Sequence, residues 1–206
     1  MFPWSTFPSS NTGGIAIPDH IEIERRFLVD GRGEKPWRTA PTAYAIEQHY
    51  NVGEHLNLRG LNLMLGDDVL VELNDDEAAL MASTSAWVSR LRKRDLQWFL
   101  TYKSRVSANA ALELEWELTR EAAFALLQRG PFPSIAKTRY VLPAEDGFAW
   151  EVDEFEGPLA GLVLAEIELV EGSEAVALPS WIGQEITGLA SWSNHALSQT
   201  LTPPTL

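Results

Sequence analysis

Five segments of this chain place charged side chains on every second residue, and both signs are used. In Ile21-Glu22-Ile23-Glu24-Arg25-Arg26-Phe27-Leu28-Val29, Glu22, Glu24 and Arg26 fall on one face of a strand, while Ile21, Ile23, Phe27 and Val29 share the other with Arg25. Arg90, Arg92 and Arg94 follow the same spacing, as do Glu113, Glu115 and Glu117, then Lys137 and Arg139, and finally Glu166 and Glu168. Clustered carboxylates repel one another, and so do clustered guanidiniums. Faces of both signs brought together therefore call for a ligand that carries both: a polyanion with its metal ions. Arg and Lys donate charge-assisted hydrogen bonds to phosphoryl oxygens. Carboxylates without neighbouring His or Cys suit hard cations, here Mg2+ or Mn2+.

The elements that must position these residues are strands. Strict alternation over five or more residues is the pattern of half-buried strands. Trp87–Arg94 and Trp98–Lys103 read as a tight hairpin around Asp95, and Leu112–Leu118 alternates acidic with bulky apolar residues. A single alternating strand is ordinarily a solvated face over an apolar core. Here the faces are almost purely acidic on some strands and purely basic on others. A closed barrel can turn such a face inward around water, ions and ligand while helices cover its apolar outside.

The ordered motifs resemble the CYTH domain of the triphosphate tunnel metalloenzymes. The family's Glu-x-Glu-x-Lys strand corresponds to Glu22-Ile23-Glu24-Arg25-Arg26. Its Arg-x-Arg, Thr-x-Lys, central Glu-x-Glu, Lys-x-Arg, aromatic strand with Asp and final Glu-x-Glu correspond in order to Arg90/Arg92, Thr101/Lys103, Glu113/Glu115, Lys137/Arg139, Asp153 and Glu166/Glu168. The resemblance spans roughly residues 19–198 and is nearest to the bacterial single-domain members. It implies a mainly β (α+β) fold, an eight-stranded antiparallel β-barrel tunnel with flanking helices. It also implies that Arg26, Arg90, Arg92, Lys103, Lys137 and Arg139 grip a triphosphate, and that Glu22, Glu24, Asp153, Glu166 and Glu168 supply ligands for two ions. Glu113 and Glu115 face the lumen beside the substrate. Glu24 orients or deprotonates the attacking water, with Arg26 as its catalytic neighbour.

The activity so implied is metal-dependent hydrolysis of inorganic tripolyphosphate. Class IV adenylate cyclase chemistry on ATP, thiamine triphosphate hydrolysis and a non-catalytic polyphosphate- or nucleotide-binding module stay open. Three departures bear on substrate choice. Arg26 replaces the family Lys, which keeps the charge but bars proton donation at neutral pH. No Lys or Arg follows Arg139, so a basic residue that some members carry on a C-terminal helix is missing. The stretch 54–86 is long and reads as an inserted hairpin: a lid, a homodimer edge or a plain loop insertion.

The rest of the sequence narrows the class. At 206 residues and 45% hydrophobic, the chain can bury one substantial core. A net charge of −13 argues against non-specific nucleic-acid binding or attraction to an anionic membrane. Zero cysteines exclude disulfides. Residues 1–18 read as a flexible arm without a secretory signal, residues 199–206 as a tail, and the cytoplasm is the default location. Thr119–Gln128 has the start and stop signals of a short amphipathic helix. A small helix or turn is expected at 173–176. The segment 191–197 is expected to be a terminal helix and, by the resemblance, a plug or cover for one tunnel end. The histidines lack metal-ligand spacing. Trp98 and Trp150 read as packing residues rather than tunnel-mouth residues.

Overall fold

A computed structural model describes residues 20–144, 147–172 and 175–200. The arm at 1–18, the chain from 201 and Ser173–Glu174 of the expected turn lie outside the described residues. Eight strands form the tunnel: β1 (Ile21–Val29), β2 (Thr42–Tyr50), β6 (Val88–Arg94), β7 (Gln97–Arg105), β8 (Ala110–Leu118), β9 (Ser134–Pro143), β10 (Ala149–Phe155) and β11 (Val163–Leu169). They pair in the order β1-β11-β10-β9-β2-β6-β7-β8 and close again on β1, each pair antiparallel. The β6–β7 hairpin turns on Asp95 and Leu96, where Asp95 adopts φ 52°, a left-handed conformation that short hairpins require and Asp tolerates.

The ring is irregular at one joint. β8 pairs with β1 only at Ile21–Ile23, and further along β1 its partner becomes β12 (Ile182–Glu185), with Phe27 opposite Glu185 and Val29 opposite Ile182. Ile186 N–H then donates to Arg26 O at 2.8 Å, and Arg25 forms a two-bond pair with Glu185. β12 lacks a strong strand pattern in its sequence, and its pairing with β1 supplies its backbone partners.

Alternation sorts each strand's side chains by face. Outside, Phe27, Trp150, Val152, Ala165 and Ile167 bury together with Trp37. On the opposite flank Leu91, Trp98, Leu100, Leu114 and Leu118 lie beneath a second sheet and α2 (Arg120–Leu127). Trp98 and Trp150 are thus outer-core residues. Burying a side chain of this size contributes roughly 1.5–3 kcal/mol, which drives the apolar face outward against a cover and leaves the charged face to the lumen.

The covering sheet comes from the region expected as an inserted hairpin. It has three strands, β3 (Asn57–Arg59), β4 (Asn62–Leu65) and β5 (Asp68–Glu72), followed by α1 (Asp75–Ser83). Leu63, Leu65 and Val71 press onto the barrel wall. Asn74 and Glu77 cap α1 reciprocally, each side chain accepting the other's backbone N–H at 2.9 Å. Thr119 caps α2 by accepting from Ala122 N–H, and the chain leaves that helix at Gly130-Pro131.

A third apolar cluster lies inside the ring. Tyr50, Ile135, Phe155 and Leu164 surround Leu197 of α3 (Asn194–Thr200), with Leu28, Val88 and Trp192 beside them. The C-terminal helix therefore fills one end of the barrel, and it runs through Thr200, into the first residues of the expected tail. Among the described residues no helix is long and apolar enough to cross a membrane.

Candidate active site

Register brings the charged faces together. Glu24 stands directly opposite Glu168 and Arg26 opposite Glu166 across β1–β11. Asp153 faces Arg139 across β9–β10, Lys103 faces Glu113 across β7–β8, and Arg90 faces Thr101 across β6–β7. Directly opposed residues have Cβ atoms about 4.5–5.5 Å apart, so like charges there are destabilising unless something lies between them. Glu24 and Glu168 are such a pair.

Nearly every base has an acid. Arg26 bridges Glu24 at 3.2 Å and Glu166 at 2.7 Å. Lys103 contacts Glu22, and lies 3.3 Å from Glu113 and 3.8 Å from Glu24. Arg92 donates to both oxygens of Glu115 at 2.7 and 2.8 Å, and Thr101 Oγ1 donates to the same carboxylate at 2.8 Å. Arg139 binds Glu151, Glu166 at 3.0 Å and both oxygens of Asp153 at 2.7 Å.

Burial makes these charges consequential. It pushes the Glu24 carboxyl above its ordinary range, and Glu166 adds to the push, against the pull of Lys103 and Arg26. Burial also raises Glu168, to about 8, with Glu22 and Glu151 crowding it. Glu166 moves the other way: although burial opposes ionisation, Arg26, Arg139 and Lys137 hold it well below the usual carboxylate range. Burial lowers Arg92 and draws the Lys137 ammonium down to about 8, against the attraction of Asp153. For Lys103, Glu22, Glu24 and Glu113 more than offset burial and raise it.

Two cavities meet at this belt. The larger, about 650 Å³, is the lumen proper. Its walls carry the carboxylates Glu22, Glu24, Glu113, Glu115, Glu117, Glu151, Glu166 and Glu168 and the bases Arg26, Arg90, Arg92, Arg94, Lys103 and Arg139. The smaller, about 460 Å³, opens toward the irregular joint and is walled by the β7–β8 turn and residues 186–190 and 193–196. Glu22, Glu24, Arg26, Arg90 and Lys103 border both.

Of the residues singled out by sequence, Lys137 and Asp153 stand apart. Their side chains are 0% exposed, they pair with each other, and they border neither cavity. Lys137 Nζ also sits 5.6 Å from the Phe155 ring centre. Asp153 has both oxygens committed to Arg139 and Lys137, so it braces Arg139 from behind instead of offering an oxygen to the lumen. Glu151 was missed, although it lies two residues before Asp153 on the same strand face and borders the lumen. Tyr44, Gln48 and Tyr50 of β2 were missed because their face carries no charge pattern. Asn194, on the plug helix, has no signal in the sequence.

The residues present fit a hard divalent cation: oxygen donors only, with Glu24 opposed to Glu168 and Glu22 next to them. Among the described residues no three of them already converge into a finished cage. Magnesium needs none, since it commonly keeps several waters and takes only one or two carboxylates.

No family model matches the chain. It is 39% identical over 109 residues to an inorganic triphosphatase of Acetivibrio thermocellus, covering 52% of this chain and 69% of that protein. It is 30% identical over 122 residues to an inorganic triphosphatase of Nitrosomonas europaea, covering 58% of this chain and 80% of that one. The chain belongs to the CYTH, or triphosphate tunnel metalloenzyme, superfamily. The crystal structure of an inorganic triphosphatase superposes on this CYTH barrel with a TM-score of 0.51 at 26% identity, covering 89% of this chain and 97% of that one. Against the CYTH pattern the departure at Arg26 is now concrete: its guanidinium spans Glu24 and Glu166 at once, a reach across two strands that a single ammonium matches less well.

Proposed function

We propose that this CYTH protein hydrolyses inorganic tripolyphosphate with divalent cations bound in its tunnel. The observation that carries the reading is the interleaving of eight carboxylates with six bases around one lumen. The wall is net negative, and five of its six bases are engaged by acids. A bare polyanion would strip the bases from their partners and leave buried carboxylates uncompensated, each at a cost of several kcal/mol. A polyphosphate that arrives with cations satisfies both sets, the phosphates taking the bases and the cations taking the acids.

In this reading Arg26, Arg90, Arg92, Lys103 and Arg139 hold the phosphoryl oxygens, with Lys137 and Asp153 fixing Arg139. Glu22, Glu24 and Glu168, with Glu166 and Glu151 beside them, hold magnesium or manganese, which when bound neutralises phosphate charge and acidifies water. Glu24 accepts the proton of the attacking water. The remaining contribution is positioning and electrostatics, as phosphoryl transfer generally requires.

One observation favours a second reading. The 460 Å³ compartment beyond the belt has Val88, Ala108, Ala110, Ile186 and Leu189 in its walls and room for an organic group that tripolyphosphate lacks. ATP, cleaved to cyclic AMP, is the candidate. Phosphate release and cyclic AMP formation, measured side by side from tripolyphosphate and ATP with magnesium and then manganese, decide between them. Fast phosphate release from tripolyphosphate with little reaction of ATP is the expected result. Cyclic AMP with pyrophosphate would replace it with the cyclase reading, and no turnover of either substrate would refute both.

A further inference from the structure

Six buried side-chain polar atoms lack a hydrogen-bond partner among the described residues. Four belong to the charged belt (the Nε atoms of Arg26, Arg90 and Arg92, and Glu166 Oε1, which meets Arg26 as an ion pair without hydrogen-bond alignment), and Trp87 Nε1 lies by the outer core. The sixth is Asn194 Oδ1. Asn194 comes from the plug helix, not from the ring. With Leu197 and Ser198 it forms the buried face of α3, at spacings of three and four that share one side of a helix. Leu197 packs into the interior cluster, and Ser198 turns its hydroxyl back onto His195 O at 2.7 Å. Asn194 is nine-tenths buried and borders both cavities where they meet, beside Glu22, Glu24, Arg26, Arg90 and Lys103.

The side chain is not needed for the helix. Ser193 Oγ already caps α3 by accepting from Ala196 N–H at 3.1 Å. A buried acceptor without a donor costs roughly 1–3 kcal/mol, so its retention does not serve stability. A phosphoryl oxygen cannot satisfy it, because both are acceptors. The missing partner is a donor; no described side chain supplies it, the unpaired Nε atoms of Arg26, Arg90 and Arg92 included, and at the mouth of the belt the donor at hand is water.

We propose that Asn194 is a positioning residue for hydrolysis, its Oδ1 holding one hydrogen of the attacking water while Glu24 takes the other. The inference rests on the triphosphatase reading. The water oxygen bonds to the terminal phosphorus and the bond from that phosphorus to the bridging oxygen breaks, so pyrophosphate leaves with the electron pair. One proton passes to Glu24, and the one held by Asn194 remains on the new orthophosphate. A carboxamide suits this place because it accepts without adding negative charge beside an incoming polyanion.

The test is steady-state kinetics on tripolyphosphate with magnesium for the full chain and for Asn194→Ala and Asn194→Asp, with melting temperatures of all three. Loss of water orientation is expected to lower kcat of Asn194→Ala by about 10–100-fold, with KM within about threefold and no loss of melting temperature. Asn194→Asp keeps the acceptor and adds charge, so it should retain more kcat than the alanine variant while KM rises. An alanine variant with wild-type kcat overturns the inference while leaving the hydrolase reading intact. So does a raised KM at unchanged kcat, which would make the amide a phosphate contact. Should the alanine variant fail to fold, an aspartate variant that has lost turnover as fully as Glu24→Gln overturns it too. A wild-type chain that releases no phosphate defeats the hydrolase reading and this inference with it.

Discussion

Replacing Asp153 by Asn separates two roles for a residue that sequence motifs place among the metal ligands. The carboxylate is 0% exposed, accepts from Arg139 through both oxygens at 2.7 Å, and pairs with Lys137. Asparagine keeps the volume and removes the charge. Arg139 would still hold Glu151 and Glu166. Lys137 would lose its ion-pair partner and keep the Phe155 ring, with burial already drawing its ammonium down to about 8. Removing one partner of a buried pair costs 3–5 kcal/mol. Because only Lys137 is orphaned, the low end applies, about 3 kcal/mol, and a domain of this size melts about 2–4 °C lower per kcal/mol. The expected loss is therefore about 6–12 °C, measured by circular dichroism in chelator so that no cation contributes. Adding Lys137→Met should recover most of it, because the ammonium left without its anion is then gone as well. An Asp153→Asn variant that melts like wild type in chelator yet has lost turnover would refute the reasoning and return Asp153 to the metal site.

Three further outcomes are expected. Glu24→Gln should abolish phosphate release while tripolyphosphate affinity, measured by calorimetry, stays within a few-fold; a rate within a few-fold of wild type would remove Glu24 from the chemistry. Arg92→Ala removes a charged donor worth about 1.5–3 kcal/mol to a phosphoryl oxygen, so KM should rise roughly 10–100-fold, and an unchanged KM would take β6 out of the grip. Glu154, on the outer face, accepts from Trp37 Nε1 and Arg38 and pairs with Lys35; these bonds, led by Arg38, hold its carboxyl down to about 2 from the usual 4.5. A depressed carboxylate stabilises above its unfolded pKa and loses that contribution as pH falls toward its folded one. Since Arg38 is 53% exposed and screened, Glu154→Gln should cost only about 1–2 kcal/mol at neutral pH, with the gap in melting temperature to wild type closing between about pH 4.5 and pH 2.

Charge alternation made much of this molecule readable. Glu22/Glu24/Arg26, Arg90/Arg92, Glu113/Glu115 and Glu166/Glu168 each follow a period of two, and the ring's pairing turns them all inward. The same period would have reached Glu151 from Asp153. It could not show that Lys137 and Asp153 consume each other, because that depends on Phe155 and on the depth at which β9 meets β10. β2 escaped notice as a lumen strand since Tyr44, Gln48 and Tyr50 are neutral. β12 is a strand through its pairing with β1, and Ile182-Gly183-Gln184-Glu185 contains nothing that demands one. The region 54–86 holds one strand and a helix more than the expected hairpin, although Asn74 followed three residues later by Glu77 is a legible helix start. Asn194 belongs to the hardest class: one neutral residue whose meaning comes entirely from where its helix is pushed.

The joint between β8 and β1 gives the tunnel an uneven stiffness. β7 and β8 stay in step from Trp98–Leu118 to Arg105–Ala111, whereas β8 leaves β1 after Ile23 and the neighbouring backbone is stitched to 182–186 instead. Opening a continuous ladder approaches the cost of global unfolding, but a short overlap can part on its own. Breathing of the empty protein should therefore concentrate at this joint, one residue from Glu24, and the amide hydrogens of β12 and Ile186 should exchange with deuterium ahead of those in β7. A ligand that spans from Lys103 on β7 to Glu24 on β1 would tie the two sides together, so occupancy of the tunnel should be legible as slower exchange along this one edge, without any change in the shape of the ring.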